Sequence, residues 1–167
     1  MKGNKLAEGW FDLSKIKFGI VVSNWNEQIT NGLLDGAVRF VKENLGTYEN
    51  IVIMRCPGAF EMPLTCQKVI EAHNVDGVIA LGCIIRGDTP HFDFVANGTA
   101  NGIMQVMLQK NVPIGFGVLT TNTEEQAVMR SLADNTNKGY EAAQAVSEMI
   151  LLKPAEWTVH QRLHFGL

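Results

Sequence analysis

The stretch IIRGDTPHF, residues 84–92, places a histidine directly after a glycine-containing turn. Thr89 and Pro90 are typical of a helix start, with Thr89 as the N-cap and Pro90 as the first helical residue, so His91 is predicted in the first turn. The backbone N–H groups of that turn lack partners within the helix and are suited to binding an anion such as phosphate. An imidazole beside bound phosphate can act as a base near neutral pH. The alternative is that His91 only caps and packs the turn.

Aromatic and charged residues follow the other apolar runs. Trp25 lies between two asparagines in SNWN, which suits stacking on a planar polar heterocycle. Phe60 and Glu61 follow in PGAFE, where the carboxylate could accept hydrogen bonds from sugar-like hydroxyls. Arg130 comes later, in the helix after the fourth apolar run, and is a cation available to a bound anion, and Lys138 follows in NTNKG. Taken singly, each has a structural alternative: an aromatic after a strand is often core, a glutamate often begins a helix, and basic residues often lie in solvent.

The elements that must position these residues alternate along the chain. Short apolar runs at 18–23, 51–56, 77–85 and 112–120 predict four strands, each followed by a helical pattern. Alternation of this kind is typical of an α/β fold with a parallel sheet covered on both faces. In such sheets ligands bind beyond the carboxyl ends of the strands, which is where the aromatic and charged residues fall.

Local signals give the bounds and the buried faces of the helices. The first helix is predicted over 29–46, with Gly46 as its C-terminal cap. Pro63 is predicted at the first position of the second helix, Thr123 and Gln126 form a capping box for the fourth, and Asn137 opens the last, which Pro154 stops. The side chains predicted to face the core are Leu64, Val69 and Ile70 in the second helix, Phe92, Val95, Ala96, Thr99, Ile103 and Val106 in the third, and Ala142, Val146, Met149 and Ile150 in the last.

Composition narrows the class of protein. The 167 residues are 46% hydrophobic and 19% charged, which is typical of a globular protein. The net charge of −3 without a basic block argues against nucleic acid as a partner, and no stretch approaches the length of a membrane span. The three cysteines have no CxxC spacing and indicate a reducing compartment, so a cytoplasmic protein is expected. The start of the chain lacks the apolar core of a signal peptide. We predict a single domain over 1–167, with an N-terminal arm over 1–17 and a tail over 155–167 without clear periodicity.

Five segments together resemble the motifs of the 6,7-dimethyl-8-ribityllumazine synthases. They are VVSNWNEQIT, PGAFEMPL, ALGCIIRGDTPHFDFVAN, FGVLTTNTEEQA and NKGYEAA, and the similarity spans about residues 18–152. The resemblance implies a flavodoxin-like three-layer sandwich with a four-stranded parallel sheet. It also implies a transferase of riboflavin biosynthesis, which condenses 5-amino-6-(D-ribitylamino)uracil with 3,4-dihydroxy-2-butanone 4-phosphate and needs neither cofactor nor metal.

The resemblance also implies a role for each matching position. Trp25 would stack on the pyrimidine, where phenylalanine is commoner in the family, Glu61 would accept from ribityl hydroxyls, and His91 would transfer protons. Phosphate would be held mainly by backbone N–H groups of the loop at residues 88–89, although Asp88 stands where many members have a small residue. The other substrate-binding positions implied by the resemblance are Asn26, Ala59, Phe60, Cys83, Ile84, Ile85, Asp88 and Thr89.

The family assembles as homopentamers, which in some members close into icosahedral shells, and its sites lie between adjacent subunits. Phe116, Arg130 and Lys138 match the groups that the adjacent subunit supplies, with Arg130 a catalytic residue on the phosphate. The segment RSLADNTNKG keeps the family spacing from Arg130 to Lys138 but differs in between. Two alternatives to the enzyme stay open: a flavin- or lumazine-binding protein without activity, and a shell-forming structural protein.

Overall fold

A computed structural model describes residues 16–45 and 50–152. The predicted parallel sheet is confirmed: four strands lie in the order β2-β1-β3-β4, and every neighbouring pair is parallel. The predicted strand bounds hold for the first three strands, and the fourth begins and ends slightly later than the apolar run indicates. The strands are β1 (Phe18–Ser23), β2 (Ile51–Cys56), β3 (Gly77–Ile85) and β4 (Ile114–Thr121).

Five helices connect or follow the strands in the described part of the chain. Thr123 caps α4 by accepting from the Gln126 amide at 3.3 Å, and Asn137 caps α5, so both predicted caps are confirmed. The helices are α1 (Glu27–Leu45), α2 (Met62–His73), α3 (His91–Lys110), α4 (Glu124–Met129) and α5 (Lys138–Leu151), and a 3₁₀ turn (Ala59–Glu61) precedes α2.

The helices form layers on the two faces of the sheet, because β1 and most of β3 are buried on both sides. One face packs against α1, α4 and α5, and the other packs against α2 and α3. This three-layer arrangement is the one predicted for an α/β fold. None of the described helices combines the length and the apolar character needed to cross a bilayer.

Two residues predicted to face the core, Leu64 and Met149, are exposed instead, so these two predictions are wrong. Leu64 is 58% exposed because Met62, Cys66, Val69 and Ile70 form the buried face of α2, and Leu64 lies about 200° around the helix from Met62. Met149 is 54% exposed, since Val146 and Ile150 fill the space beside the start of β3 at Gly77.

The remaining predicted helix faces do lie toward the core, and the helix bounds differ from the predicted ones by a few residues. The C-terminal tail, the cap at Gly46, the stop at Pro154 and most of the N-terminal arm lie outside the described residues.

Candidate functional site

The loop after β1 presents an indole to solvent. Trp25 is 74% exposed, which rules out the alternative that it is ordinary core in this chain. Asn26 adopts a left-handed backbone with φ of 58°, and its carbonyl accepts from the amides of the first turn of α1. Its Nδ2 donates to the Cys83 carbonyl of β3 at 3.0 Å. Asn26 therefore fixes the loop that carries Trp25 against the neighbouring strand.

The turn after β2 holds an aromatic ring and a carboxylate at the surface. Phe60 and Glu61 are exposed at the end of the 3₁₀ turn, whereas Ala59 is buried beneath them. Phe60 lies on α3, where a Cβ added at Gly98 would come within 2.8 Å of its Cε2. The glycine thus lets the ring approach the helix backbone, and the ring reaches from the end of β2 to the helix that begins at His91.

The end of β3 supplies backbone and a turn rather than reactive side chains. Cys83 and Ile84 are buried, and Ile85 is half-buried. Burial raises the pKa of the Cys83 thiol to about 11, so this thiol stays protonated near neutral pH and is no nucleophile. The turn that follows, including Asp88 and Thr89, is exposed.

The helix start at His91 differs by one residue from the predicted one. Pro90, not Thr89, is the N-cap of α3, because Pro90 has ψ of 1° and His91 is the first helical residue. The Thr89 hydroxyl still accepts from the His91 amide at 3.4 Å. A Cβ added at Gly87 would meet nothing within 4 Å in this chain, so its backbone can be approached from outside. His91 is exposed in the first turn, as predicted.

An arginine that sequence reasoning did not single out spans this turn. Arg86 Nη2 and Nη1 donate to the two oxygens of Asp93 at 2.8 and 3.2 Å, and Nε donates to Asn122 Oδ1 at 3.2 Å. The guanidinium also stacks on the Phe92 ring, 4.1 Å from its centroid. Hydrogen bonding from Arg86 lowers the pKa of the Asp93 carboxyl, which keeps it charged near neutral pH.

A groove of about 370 Å³ lies between β4 and α5. Phe116, 45% exposed on the open edge strand, lies in its wall with Arg130 and Lys138. Arg130 Nη1 donates to the Gln126 carbonyl at 2.9 Å, and Lys138 Nζ pairs with Glu141 Oε2 at 2.7 Å. Both contacts hold the cations at the groove.

The segment between Arg130 and Lys138 is fixed from two sides. The Arg39 guanidinium of α1 donates to the carbonyls of Ala133 and Asp134 at 3.1 and 2.7 Å. Asn137 is fully buried and contacts backbone groups of α1, the segment itself and α5. The Lys138 amide donates to the Arg130 carbonyl at 2.9 Å, which closes the segment and sets the spacing of the two cations.

The predicted site residues therefore fall into two groups. One group gathers at the carboxyl ends of β1, β2 and β3, as predicted, and includes Trp25, Glu61 and His91. The other lines the groove beside β4, whose lining among the described residues contains no member of the first group. Sequence reasoning missed Arg86, whose signal is the Arg-x₆-Asp spacing across the turn in RGDTPHFD.

Comparison with known proteins gives one family. The sequence model of 6,7-dimethyl-8-ribityllumazine synthase matches residues 15–154. The chain is 47% identical over 145 residues to the synthase of that name from Lawsonia intracellularis, covering 87% of this chain and 92% of that protein. It is 48% identical over 140 residues to the one from Bdellovibrio bacteriovorus, covering 83% and 75%. A solved GDP-L-fucose synthetase from Naegleria fowleri aligns with a TM-score of 0.42 at 13% identity, covering 98% and 50%, a likeness too weak to bear on function.

Proposed function

Because this chain belongs to the 6,7-dimethyl-8-ribityllumazine synthase family, we propose that its two groups of site residues form one composite site for that reaction. The enzyme is a transferase that condenses 5-amino-6-(D-ribitylamino)uracil with 3,4-dihydroxy-2-butanone 4-phosphate to give the lumazine and phosphate. The observation that carries the proposal is the family match over most of the chain, together with an exposed indole, carboxylate and imidazole at one edge of the sheet. Neither finding favours a protein without activity.

The first group supplies the pocket for the flat substrate and for phosphate. Trp25 stacks on the pyrimidine, and Glu61 accepts hydrogen bonds from the ribityl chain. Amides of the turn at Gly87–Thr89 and at the start of α3 bind the phosphate, which is supported by the open space beside Gly87. Asp88 is exposed, so its carboxylate can turn to solvent rather than repel the phosphate.

The second group completes the site from an adjacent subunit. The groove lined by Phe116, Arg130 and Lys138 does not include His91. Within a single chain, these three residues therefore lie apart from the edge of the sheet that is proposed to bind the substrates. Exposed apolar side chains such as Phe94 and Leu108 on α3 support contacts with another copy. We infer a homopentamer, with closure of pentamers into an icosahedral shell as a further step. The free, buried cysteines support a cytoplasmic location.

The chemistry depends mainly on positioning. The pyrimidine amine attacks the ketone and loses water to form an imine, and phosphate is then eliminated. Attack of the ribitylamino nitrogen on the remaining carbonyl closes the ring with loss of a second water. Both substrates are reactive, so holding them together can supply about 7 kcal/mol or more of the barrier reduction. His91 is the residue proposed to move protons during elimination and closure, which its exposure in the first turn of α3 supports.

A direct assay tests this function. We expect purified protein mixed with the two substrates to produce the absorbance and fluorescence of 6,7-dimethyl-8-ribityllumazine, with one phosphate released per lumazine. Protein that carries a bound flavin or lumazine but gives no product would instead support the binding-protein alternative. An assembled shell without turnover would support the structural one.

Replacing His91 by alanine is expected to slow turnover without abolishing it. We expect kcat to fall roughly tenfold, less than general acid–base catalysis often contributes, because positioning carries most of the rate. Steady-state kinetics with and without added imidazole measure this effect. An unchanged kcat would remove His91 from the mechanism, and a complete loss in a variant with unchanged Tm would make proton transfer dominant.

A further inference from the structure

We propose that Arg86 is a positioning residue that holds the turn at 87–90 in its phosphate-binding shape. The inference rests on the proposed function, because it concerns the same phosphate site. Arg86 is the first residue after β3, and Asp93 lies in the first turn of α3. Their bidentate pair therefore joins the two ends of the turn directly.

The contacts of Arg86 indicate that it holds the turn in position rather than binding the ligand. Three of its five N–H groups donate within the chain, two to Asp93 and one to Asn122, which fixes the orientation of the guanidinium. The face of the guanidinium lies on Phe92, and the Arg86 amide donates to the Thr121 carbonyl at 2.9 Å. A planar guanidinium that is hydrogen-bonded along its edge and packed on its face is held rigidly. A lysine ammonium cannot make the same bidentate and stacking contacts.

The turn has little else in this chain to hold it. Residues 86–90 are all exposed, and the contact between the Thr89 hydroxyl and the His91 amide is long, at 3.4 Å. The Asp93 amide donates to the Pro90 carbonyl at 3.0 Å, which fixes the end of the turn at α3 but not residues 87–89. Backbone N–H groups bind an anion most tightly when they already converge on its site in the free protein. If they become ordered only on binding, the entropy cost of that ordering lowers the affinity for the anion. Arg86 fixes the orientation of these N–H groups without itself binding the anion.

The exposure of the pair makes the inference testable apart from stability. The Arg86 and Asp93 side chains are 42% and 50% exposed, and pairs this exposed contribute little to folding. We therefore expect loss of Arg86 to change phosphate binding while Tm stays nearly constant. A residue with a merely structural role would lower Tm and affect both substrates alike.

The experiment compares Arg86→Gln and Arg86→Lys with the control Lys110→Gln. Lys110 pairs with Glu71 at 2.6 Å and joins the other end of α3 to α2, with similar exposure. For Arg86→Gln we expect the KM of the phosphorylated substrate and the inhibition constant of inorganic phosphate to rise about tenfold, with the KM of the pyrimidine within about twofold of wild type. Arg86→Lys should recover only part of the loss, and the control should match wild type.

A second measurement does not depend on catalysis. Hydrogen exchange of a peptide covering residues 86–93 should be faster in Arg86→Gln than in wild type and unchanged in Lys110→Gln. If wild type is active but Arg86→Gln matches the control in phosphate inhibition and exchange, the inference is overturned and the proposed function stands. If wild type itself neither turns over nor binds phosphate, the proposed function falls, and this inference falls with it.

Discussion

Replacing Arg130 by alanine is expected to lower kcat/KM for the phosphorylated substrate roughly 10- to 100-fold, the loss typical of hydrogen bonds to a charged group. The guanidinium lies at the groove beside β4, where it is the cation suited to a bidentate contact with phosphate. Arg130→Lys keeps the charge but loses the fork, so it should fall between wild type and alanine. Steady-state kinetics with each substrate varied in turn measure the effect.

The charge-matched control is Lys68→Ala, an exposed cation on α2 away from the groove. It should leave both KM values unchanged, which separates a local clamp from the overall charge of the protein. Wild-type kinetics for Arg130→Ala would refute the role assigned to this residue.

Mixed assemblies test whether Arg130 acts on a neighbouring subunit. Trp25 and Arg130 belong to different groups of site residues, and each group forms one half of the proposed composite site. A Trp25→Ala subunit keeps the half that contains Arg130, and an Arg130→Ala subunit keeps the half that contains Trp25. When the two variants are coassembled in equal amounts into a closed ring, each side of an interface is the required variant about half of the time. Roughly one interface in four should therefore contain both intact halves of the site. Activity of the mixture no higher than that of either variant alone would place both halves of the site within one chain.

The strands, and the edge of the sheet at which the candidate site residues of the first group lie, could be predicted from the sequence because both depend on local patterns. Continuous apolar runs such as FGIVVS and GVIALGCII predict strands buried on both faces, and the structure has them at the same bounds. Once the sheet is parallel, its carboxyl edge brings the loops with Trp25, Glu61 and His91 together. No side-chain contact was needed for that prediction.

The failures at Arg86 and Asn137 depend on contacts that a local pattern does not contain. Leu64 is different, because it lies about 200° around α2 from Met62 and its exposure follows from helical periodicity rather than from a distant contact. Arg86 reads as an ordinary surface arginine until the turn brings Asp93 and Asn122 to it. Asn137 was predicted as a helix cap alone, whereas its amide nitrogen also contacts carbonyls from two other parts of the chain.

Replacing Asn137 by alanine is expected to destabilise the protein by about 2–4 kcal/mol, more than the ~1 kcal/mol of a lost helix cap. Oδ1 accepts from the amides of Gly139 and Tyr140 at 2.9 and 3.1 Å. Nδ2 donates to the carbonyls of Gly32, Ser131 and Leu132 at 3.0, 3.0 and 2.8 Å. These partners are left to find other donors and acceptors in a site that is buried in this chain, and Tm at fixed protein concentration should fall by about 5–15 °C.

The sequence around Asn137 fits this side chain closely. A Cβ at Gly36 would collide with the Asn137 carboxamide, so the glycine in the middle of α1 makes room for it despite its cost to the helix. Because Asn137 directly precedes Lys138, whose amide bonds the Arg130 carbonyl, loss of its contacts also frees the two cations of the groove. Catalytic efficiency should therefore fall together with Tm, whereas Asn135→Ala, at an exposed position of the same segment, should change neither.

Asn137→Asp separates the two functions of the side chain. Aspartate keeps the oxygen that caps α5 but replaces the donating nitrogen with a second acceptor that faces the three carbonyls. If the donated bonds to α1 and the segment carry most of the stability, this variant should lose nearly as much Tm as Asn137→Ala. A Tm near that of wild type would mean that the cap alone matters, and that Arg39 suffices to fix the segment between Arg130 and Lys138.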